Sequence, residues 1–131
     1  MRLLLDTHIW LWSHLSPQLL VPRVAKELED ANNELFLSPI TLWEVLMLSQ
    51  KGRVVFHPDV HTWIENRFQE VHLADAPVTH EVARETSRIR LRQRAPADYF
   101  LAATARVFDL TLVTADRNLL SVPDLSLLPN R

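Results

Sequence analysis

Cysteine is absent from this sequence, glycine occurs once, and no long apolar run is present. The lack of cysteine excludes disulfides and every cysteine-based zinc site. Average usage would place about nine glycines in a chain of this length. With Gly52 alone, neither the G-x-G-x-x-G fingerprint nor the P-loop can be written, and the dinucleotide and nucleotide sites built on them are excluded. No apolar stretch approaches the ~18 residues of a membrane span. Asp6 interrupts the apolar run at the N-terminus, so a signal-peptide core is not expected. A cytoplasmic protein with no membrane association is the expectation. A strong charge of one sign is missing too: 14 basic residues stand against 16 acidic ones, a formal net charge of −2. A protein held to nucleic acid by a general positive field would be basic, so any such role must rest on a local patch or on metal ions.

What the sequence does contain is a globular core. Hydrophobic residues make up 47% of the 131 positions, and residues 1–131 are expected to form one domain. Short apolar runs at 2–5, 34–37, 71–73, 111–113 and 125–128 read as strands. Between them, helical signals cover Thr7 to about Leu15, about 23–30, Ser38-Pro39 to about Lys51 (with Gly52 ending that helix), His57-Pro58 to about Gln69, 79–89, 97–108 and 117–121. Strands alternating with helices predict an α/β fold with a mostly parallel sheet covered on both faces.

Four carboxylates lie where apolar residues dominate. Asp6 ends Leu3-Leu4-Leu5 and so sits at the C-terminal end of a strand, the side where open α/β sheets bind ligands. Asp116 follows Leu112-Val113-Thr114-Ala115 just past another strand. Asp98 lies in the first turn of the helix that Pro96 opens, and Glu44 lies within Ile40–Leu48, a helix apolar nearly all round and therefore expected to be buried. Each Asp has a simpler role open to it: Asp6 and Asp116 as helix caps, Asp98 as a complement to the helix dipole. Glu44 has no basic residue at Ile40, Thr41, Met47 or Leu48 to pair with. Separate caps need not converge, whereas one shared sheet edge brings all four together. Ionised carboxylates in one cleft repel, a divalent cation is the usual remedy, and all-oxygen ligation selects Mg²⁺ or Mn²⁺.

At this point the chain resembles the PIN domain family, specifically the VapC-type toxin ribonucleases of bacterial toxin–antitoxin pairs. The likeness is carried by Leu4-Leu5-Asp6-Thr7-His8, Ser38-Pro39-Ile40-Thr41-Leu42-Trp43-Glu44, Pro96-Ala97-Asp98-Tyr99-Phe100-Leu101-Ala102-Ala103-Thr104-Ala105 and Leu112-Val113-Thr114-Ala115-Asp116. These segments span nearly the whole chain. The resemblance implies a three-layer α/β/α fold and a metal-dependent endoribonuclease acting on tRNA, rRNA or mRNA. It implies that Asp6, Glu44, Asp98 and Asp116 hold Mg²⁺ or Mn²⁺, with the hydroxyls of Thr7 and Thr114 orienting those carboxylates. It also implies a cognate antitoxin and a homodimer. Two positions depart from the family pattern: Ala95 replaces an acid common in relatives, and Tyr99 stands where a basic residue is frequent. The rival readings are a non-catalytic binding module that kept the fold, and a metal nuclease acting on DNA or flap structures. A phosphatase with an aspartyl nucleophile is disfavoured, because no second Asp lies two residues beyond Asp6.

Residues 81–94 hold Arg84, Arg88, Arg90, Arg92 and Arg94 against Glu81 and Glu85, a local balance of +3. This is either a solvated face or a rim that contacts phosphate on the way to Asp98, with Arg88, Arg90, Arg92 and Arg94 the candidates. His57 and His61 have i,i+4 spacing, but Pro58 opens a helix there, and a surface position is expected rather than a metal pair. Trp10 and Trp12 cannot both face inward from one helix, so one of them is expected to mark a partner surface.

Overall fold

The computed structural model describes residues 1–131. Five strands form one sheet: β1 (Arg2–Leu5), β2 (Glu34–Leu37), β3 (Ala74–Asp75), β4 (Thr111–Thr114) and β5 (Leu127–Pro129). Their order is β3-β2-β1-β4-β5, and every pairing is parallel. Seven α-helices connect them: α1 (Thr7–Leu15), α2 (Pro22–Glu29), α3 (Pro39–Gln50), α4 (Val60–Glu70), α5 (His80–Glu85), α6 (Pro96–Val107) and α7 (Arg117–Leu120). No helix is long and apolar enough to cross a membrane.

The strand period of two sorts the apolar residues into layers. Leu3, Leu5, Leu37, Val113 and Leu128 face a core completed by Ile9 and Trp10 of α1, Val24 of α2, Val45 of α3 and Trp63 of α4. Leu4, Phe36 and Leu112 face the other way, onto Val82 of α5, Ala102, Ala103 and Ala105 of α6, and Leu119 of α7. The result is the three-layer α/β/α arrangement, with every strand-to-strand connection a crossover, as parallel pairing requires. The alanine face of α6 lets that helix lie close on the sheet. From β1 the chain builds outward to β2 on one side and β4 on the other, so the strand order reverses beside β1. A crevice opens at the C-terminal ends of the strands at such a reversal.

Several boundaries differ from the sequence reading. The third strand pairs at Ala74–Asp75, not 71–73, because α4 runs on to Glu70 and Val71 closes it through an N–H to the Arg67 carbonyl. The last strand is 127–129, not 125–128, because Asp124 takes a left-handed conformation (φ 63°) and turns the chain first. Helix α4 begins at Val60 because Asp59 caps it, accepting the Thr62 N–H at 2.8 Å. The helix expected over 79–89 ends as α5 at Glu85 and tightens into a 3₁₀ turn at Thr86–Arg88, where the Thr86 and Ser87 hydroxyls donate to the Ala83 and Arg84 carbonyls.

Two burial expectations are corrected. Helix α3 is not enclosed: Thr41 and Val45 are buried, but Trp43 is 51% exposed. A helix covering one face of a sheet has one side to bury, and its remaining apolar side stands out with Ile40 and Trp43 beside Pro96, Ala97 and Phe100 of α6. On α1, Trp10 is buried and Trp12 is half-buried against the same core, so neither is a free surface residue. His57 and His61 are exposed.

Leu112 is fully buried in the middle strand pairings. Leu112→Ala is expected to lower stability by about 2–5 kcal/mol, read as a reduced urea midpoint with an unchanged slope.

Candidate active site

Asp6 leaves β1 and immediately caps α1. Its Oδ1 accepts the Thr7 N–H at 2.8 Å, and its Oδ2 accepts the Thr114 hydroxyl at 2.6 Å. Its own N–H donates to the Val113 carbonyl at 3.0 Å, which extends the β1–β4 ladder by one rung. The residue is 6% exposed. Burial is the main cause that raises its carboxyl above the usual range. The Thr114 and Thr7 hydrogen bonds and the charge of His8 oppose that rise, and the charge of Asp116 adds to it.

Thr114 connects two acids. While its hydroxyl donates to Asp6, its Oγ1 accepts the N–H of Asp116 at 3.0 Å. Asp116 then caps α7, with Oδ1 accepting the Asn118 N–H at 2.8 Å. From the other side, the Thr7 hydroxyl donates to Oε1 of Glu44, in the second turn of α3. Burial raises the Glu44 carboxyl as well; the Thr7 hydrogen bond lowers it and the charge of Asp6 raises it. Asp98, in the first turn of α6, is buried, and its carboxyl is pushed up to about 7. Desolvation is again the first cause. The Asn118 hydrogen bond works against it, and the charges of Asp116, Asp6 and Glu44 reinforce it.

Asp6, Glu44, Asp98 and Asp116 thus come together at one edge of the sheet and feel one another's charge, with Asp116 the exposed member of the four. Capping and convergence are not alternatives here: Asp6 and Asp116 do both. No lysine or arginine pairs with any of the four, since the ion pairs of the molecule are Arg67–Glu70, Arg88–Glu85 and Arg106–Glu85. The donors are oxygen only, which fits a hard divalent cation. No three His, Asp or Glu side chains are already gathered closely enough to hold an ion. Drawing mutually repelling carboxylates together needs a cation or protons.

The candidate arginines divide. Arg88 is engaged by Glu85 at 2.9 Å. Arg90, Arg92 and Arg94 are exposed on the segment that leads into α6. Sequence reasoning missed Asn118, whose Nδ2 donates to Oδ2 of Asp98 at 3.1 Å. An Asn two residues after a capping Asp carries no pattern that separates it from an ordinary first-turn residue. It also missed His8, exposed in the first turn of α1, whose charge favours the ionised forms of Asp6 and Glu44. A separate apolar cavity of about 200 Å³ lies against Trp10, His14, Leu28 and Leu35 and includes none of the four acids.

A family model described as "PIN domain" matches residues 3–125. The chain is 30% identical over 121 residues to ribonuclease VapC22 of Mycobacterium tuberculosis, covering 90% of this chain and 89% of that protein. Among solved structures, the fold is similar to that of VapBC2 from Rickettsia felis bound to a promoter DNA fragment, with TM-score 0.72, 18% identity and 98% of each chain covered. It is similar as well to DNA-bound VapBC from Salmonella typhimurium, with TM-score 0.70, 18% identity and 100% and 99% of the two chains covered.

The raised carboxyls have a consequence for stability. Asp98 titrates near 3.8 when unfolded and about 7 when folded, so between those values the folded state binds more protons. Stability then falls as pH rises through that window. Metal-free protein is expected to show a lower denaturation midpoint at pH 8 than at pH 5, and Asp98→Asn to flatten the profile.

Proposed function

The chain belongs to the PIN domain family, and from that premise we propose that it is an endoribonuclease that hydrolyses phosphodiester bonds in RNA, using Mg²⁺ or Mn²⁺ held by Asp6, Glu44, Asp98 and Asp116. The observation that carries this reading is the site itself: four carboxylates, all oxygen donors and none with a cationic partner, with Asp6 and Asp98 buried, Glu44 half-buried and Asp116 at the exposed rim. Such a set is costly unless something positive enters it. The 30% identity to a protein named a ribonuclease supports the reaction class.

A bound divalent cation would neutralise charge on the scissile phosphate and lower the pKa of a bound water. The protein's own contribution is placement. Thr114 fixes Asp6 through Oδ2, and Thr7 fixes Glu44 through Oε1, so each carboxylate keeps its other lone pairs for a ligand. The Thr7 N–H holds Oδ1 of Asp6 in the plane of the α1 cap. Asn118 holds Asp98 by one oxygen. Arg90, Arg92 and Arg94 contact the phosphates flanking the cut, which an acidic crevice needs if it is to accept an anionic chain. Arg88 joins them only when it leaves Glu85.

The substrate is a cellular RNA: tRNA, rRNA or mRNA. The solved relatives are toxin–antitoxin complexes, which supports a role as the toxin of such a pair, held by a cognate antitoxin and working in the cytoplasm as a homodimer. Residues 1–131 act as one nuclease domain.

The test is cleavage of a mixed tRNA and rRNA preparation by the wild type and by Asp6→Asn, each with Mg²⁺, Mn²⁺ or EDTA. Discrete products are expected from the wild type with either metal, with none in EDTA and at least a hundredfold less from the variant. Products of equal yield from both proteins would overturn the assignment of Asp6. Thr114→Val keeps the shape of the side chain and removes the hydroxyl. It is expected to weaken Mn²⁺ binding by about 10–100-fold in a calorimetric titration.

A further inference from the structure

The segment 90–94 carries three exposed arginines and almost nothing that holds it. It belongs to no helix or strand, and none of its residues makes a backbone–backbone hydrogen bond. Arg90, Arg92 and Arg94 form no ion pair and no side-chain hydrogen bond. Leu91 rests against the core of α5, α6 and α7. The hydrogen bonds that do reach this segment come from one side chain. Oδ1 of Asn118 accepts the Gln93 N–H at 3.0 Å, and Nδ2 donates back to the Gln93 carbonyl at 2.9 Å. The second Nδ2 hydrogen goes to Asp98 at 3.1 Å, and the Asn118 backbone N–H goes to Asp116 at 2.8 Å.

A carboxamide is the side-chain group that can do this at this size. It offers an acceptor and two donors in a peptide-like plane, so it pairs with both backbone groups of Gln93 as a neighbouring strand would and keeps one donor over. The orientation is fixed by its partners. Exchanging O and N would set Nδ2 against the Gln93 N–H, and Oδ1 against a carbonyl and a carboxylate. An aspartate here would present oxygens to both of those acceptors and add charge beside Asp98.

We propose that Asn118 is a positioning residue that fastens the arginine segment to the acidic crevice, so that Arg90, Arg92 and Arg94 meet the phosphates of an RNA whose scissile bond lies at Asp98 and Asp116. This rests on the nuclease reading and adds a specific dependence to it: the arginines contribute to RNA binding only while Asn118 holds Gln93. The acids and the basic rim come from different parts of the chain, and a single amide sets their spacing. Loss of the amide releases the segment and leaves its charges spread over many positions.

The test is a mutant cycle on binding of fluorescently labelled tRNA in Mg²⁺, in the Asp6→Asn background so that the RNA stays intact. The variants are Asn118→Ala, the triple Arg90→Gln/Arg92→Gln/Arg94→Gln, and their combination, with thermal melts to establish folding. Asn118→Ala and the triple are each expected to weaken binding about tenfold, and the combination to be little worse than either, because both remove the same contacts. The salt dependence of log K is expected to become shallower by about 2 in the triple, at about 0.7 per phosphate contact on single-stranded RNA. In the combination it falls no further. Amide exchange at Gln93 should quicken in Asn118→Ala. If Asn118→Ala does not fold, Asn118→Leu keeps the size of the side chain, removes the amide without adding charge and should give the same cycle. A hundredfold, additive loss in the combination would overturn the proposal, as would an Asn118→Ala variant that binds tRNA with wild-type affinity and slope. A wild type that cleaves RNA, with a triple that binds as well as its parent, removes the positioning role alone. A wild type that neither binds nor cuts RNA removes the nuclease reading and this inference together.

Discussion

The hydrogen bond from Thr114 to Asp6 joins the ends of the adjacent strands β1 and β4, where the strand order reverses, and most of the site is assembled around it. Thr114 is the last residue of β4 and Asp6 the first beyond β1. Because parallel strands run in register there, with Leu5 opposite Val113, a hydroxyl and a carboxylate one residue further on meet without any long side chain. The same threonine accepts the Asp116 N–H, and the residue after Asp6 reaches across to Glu44. Two threonines therefore fix three acids with bonds only one or two torsions long. A short side chain loses little freedom when it is fixed, and it holds its partner within tight limits.

The constraint works against the fold as well as for it. Burial favours the protonated forms of Asp6, Glu44 and Asp98, and the charges of their acidic neighbours, that of the exposed Asp116 among them, push the same way. The threonine and amide hydrogen bonds recover part of this, as donors to a carboxylate do. The remainder is a local cost, and the flanking apolar layers carry it. On one side these are Leu3, Leu5 and Trp10, and on the other Leu4, Leu112 and the alanines of α6. The site sits between two complete cores and belongs to neither.

Much of this could be read from residue order. Leu3-Leu4-Leu5-Asp6 and Leu112-Val113-Thr114-Ala115-Asp116 are strands followed by acids, and a parallel sheet leaves those acids on one edge. What order does not carry is the pairing of distant short segments. The segment at 71–73 has the apolar character of a strand, yet pairing begins at Ala74, because α4 runs on to Glu70 and Val71 still donates its N–H to the Arg67 carbonyl. Helix α3 looks like a fully buried helix by composition, but it meets the sheet on one side only, so Trp43 remains exposed. Asn118 was invisible for a related reason: its partners, Gln93 and Asp98, lie 25 and 20 residues away. Nothing local distinguishes a bridging carboxamide from a solvated one.

The aromatic residues are divided unevenly between the two helical layers. Trp10, Trp12 and Trp63 all belong to the layer of α1 to α4, where Trp10 and Trp63 stack edge to face at 5.3 Å, and Trp43 rides on α3 of that same layer. The layer of α5 to α7 contains no tryptophan and holds the single tyrosine, Tyr99. The two halves of the molecule therefore carry different intrinsic optical labels. Emission from the buried Trp10 and Trp63 reports the loosening of one half, and the Tyr99 band of the derivative absorbance spectrum that of the other. If the acidic edge yields first on the side of α6, the two signals will separate in time, and the order of their loss distinguishes a peeling layer from a sheet that melts as a unit.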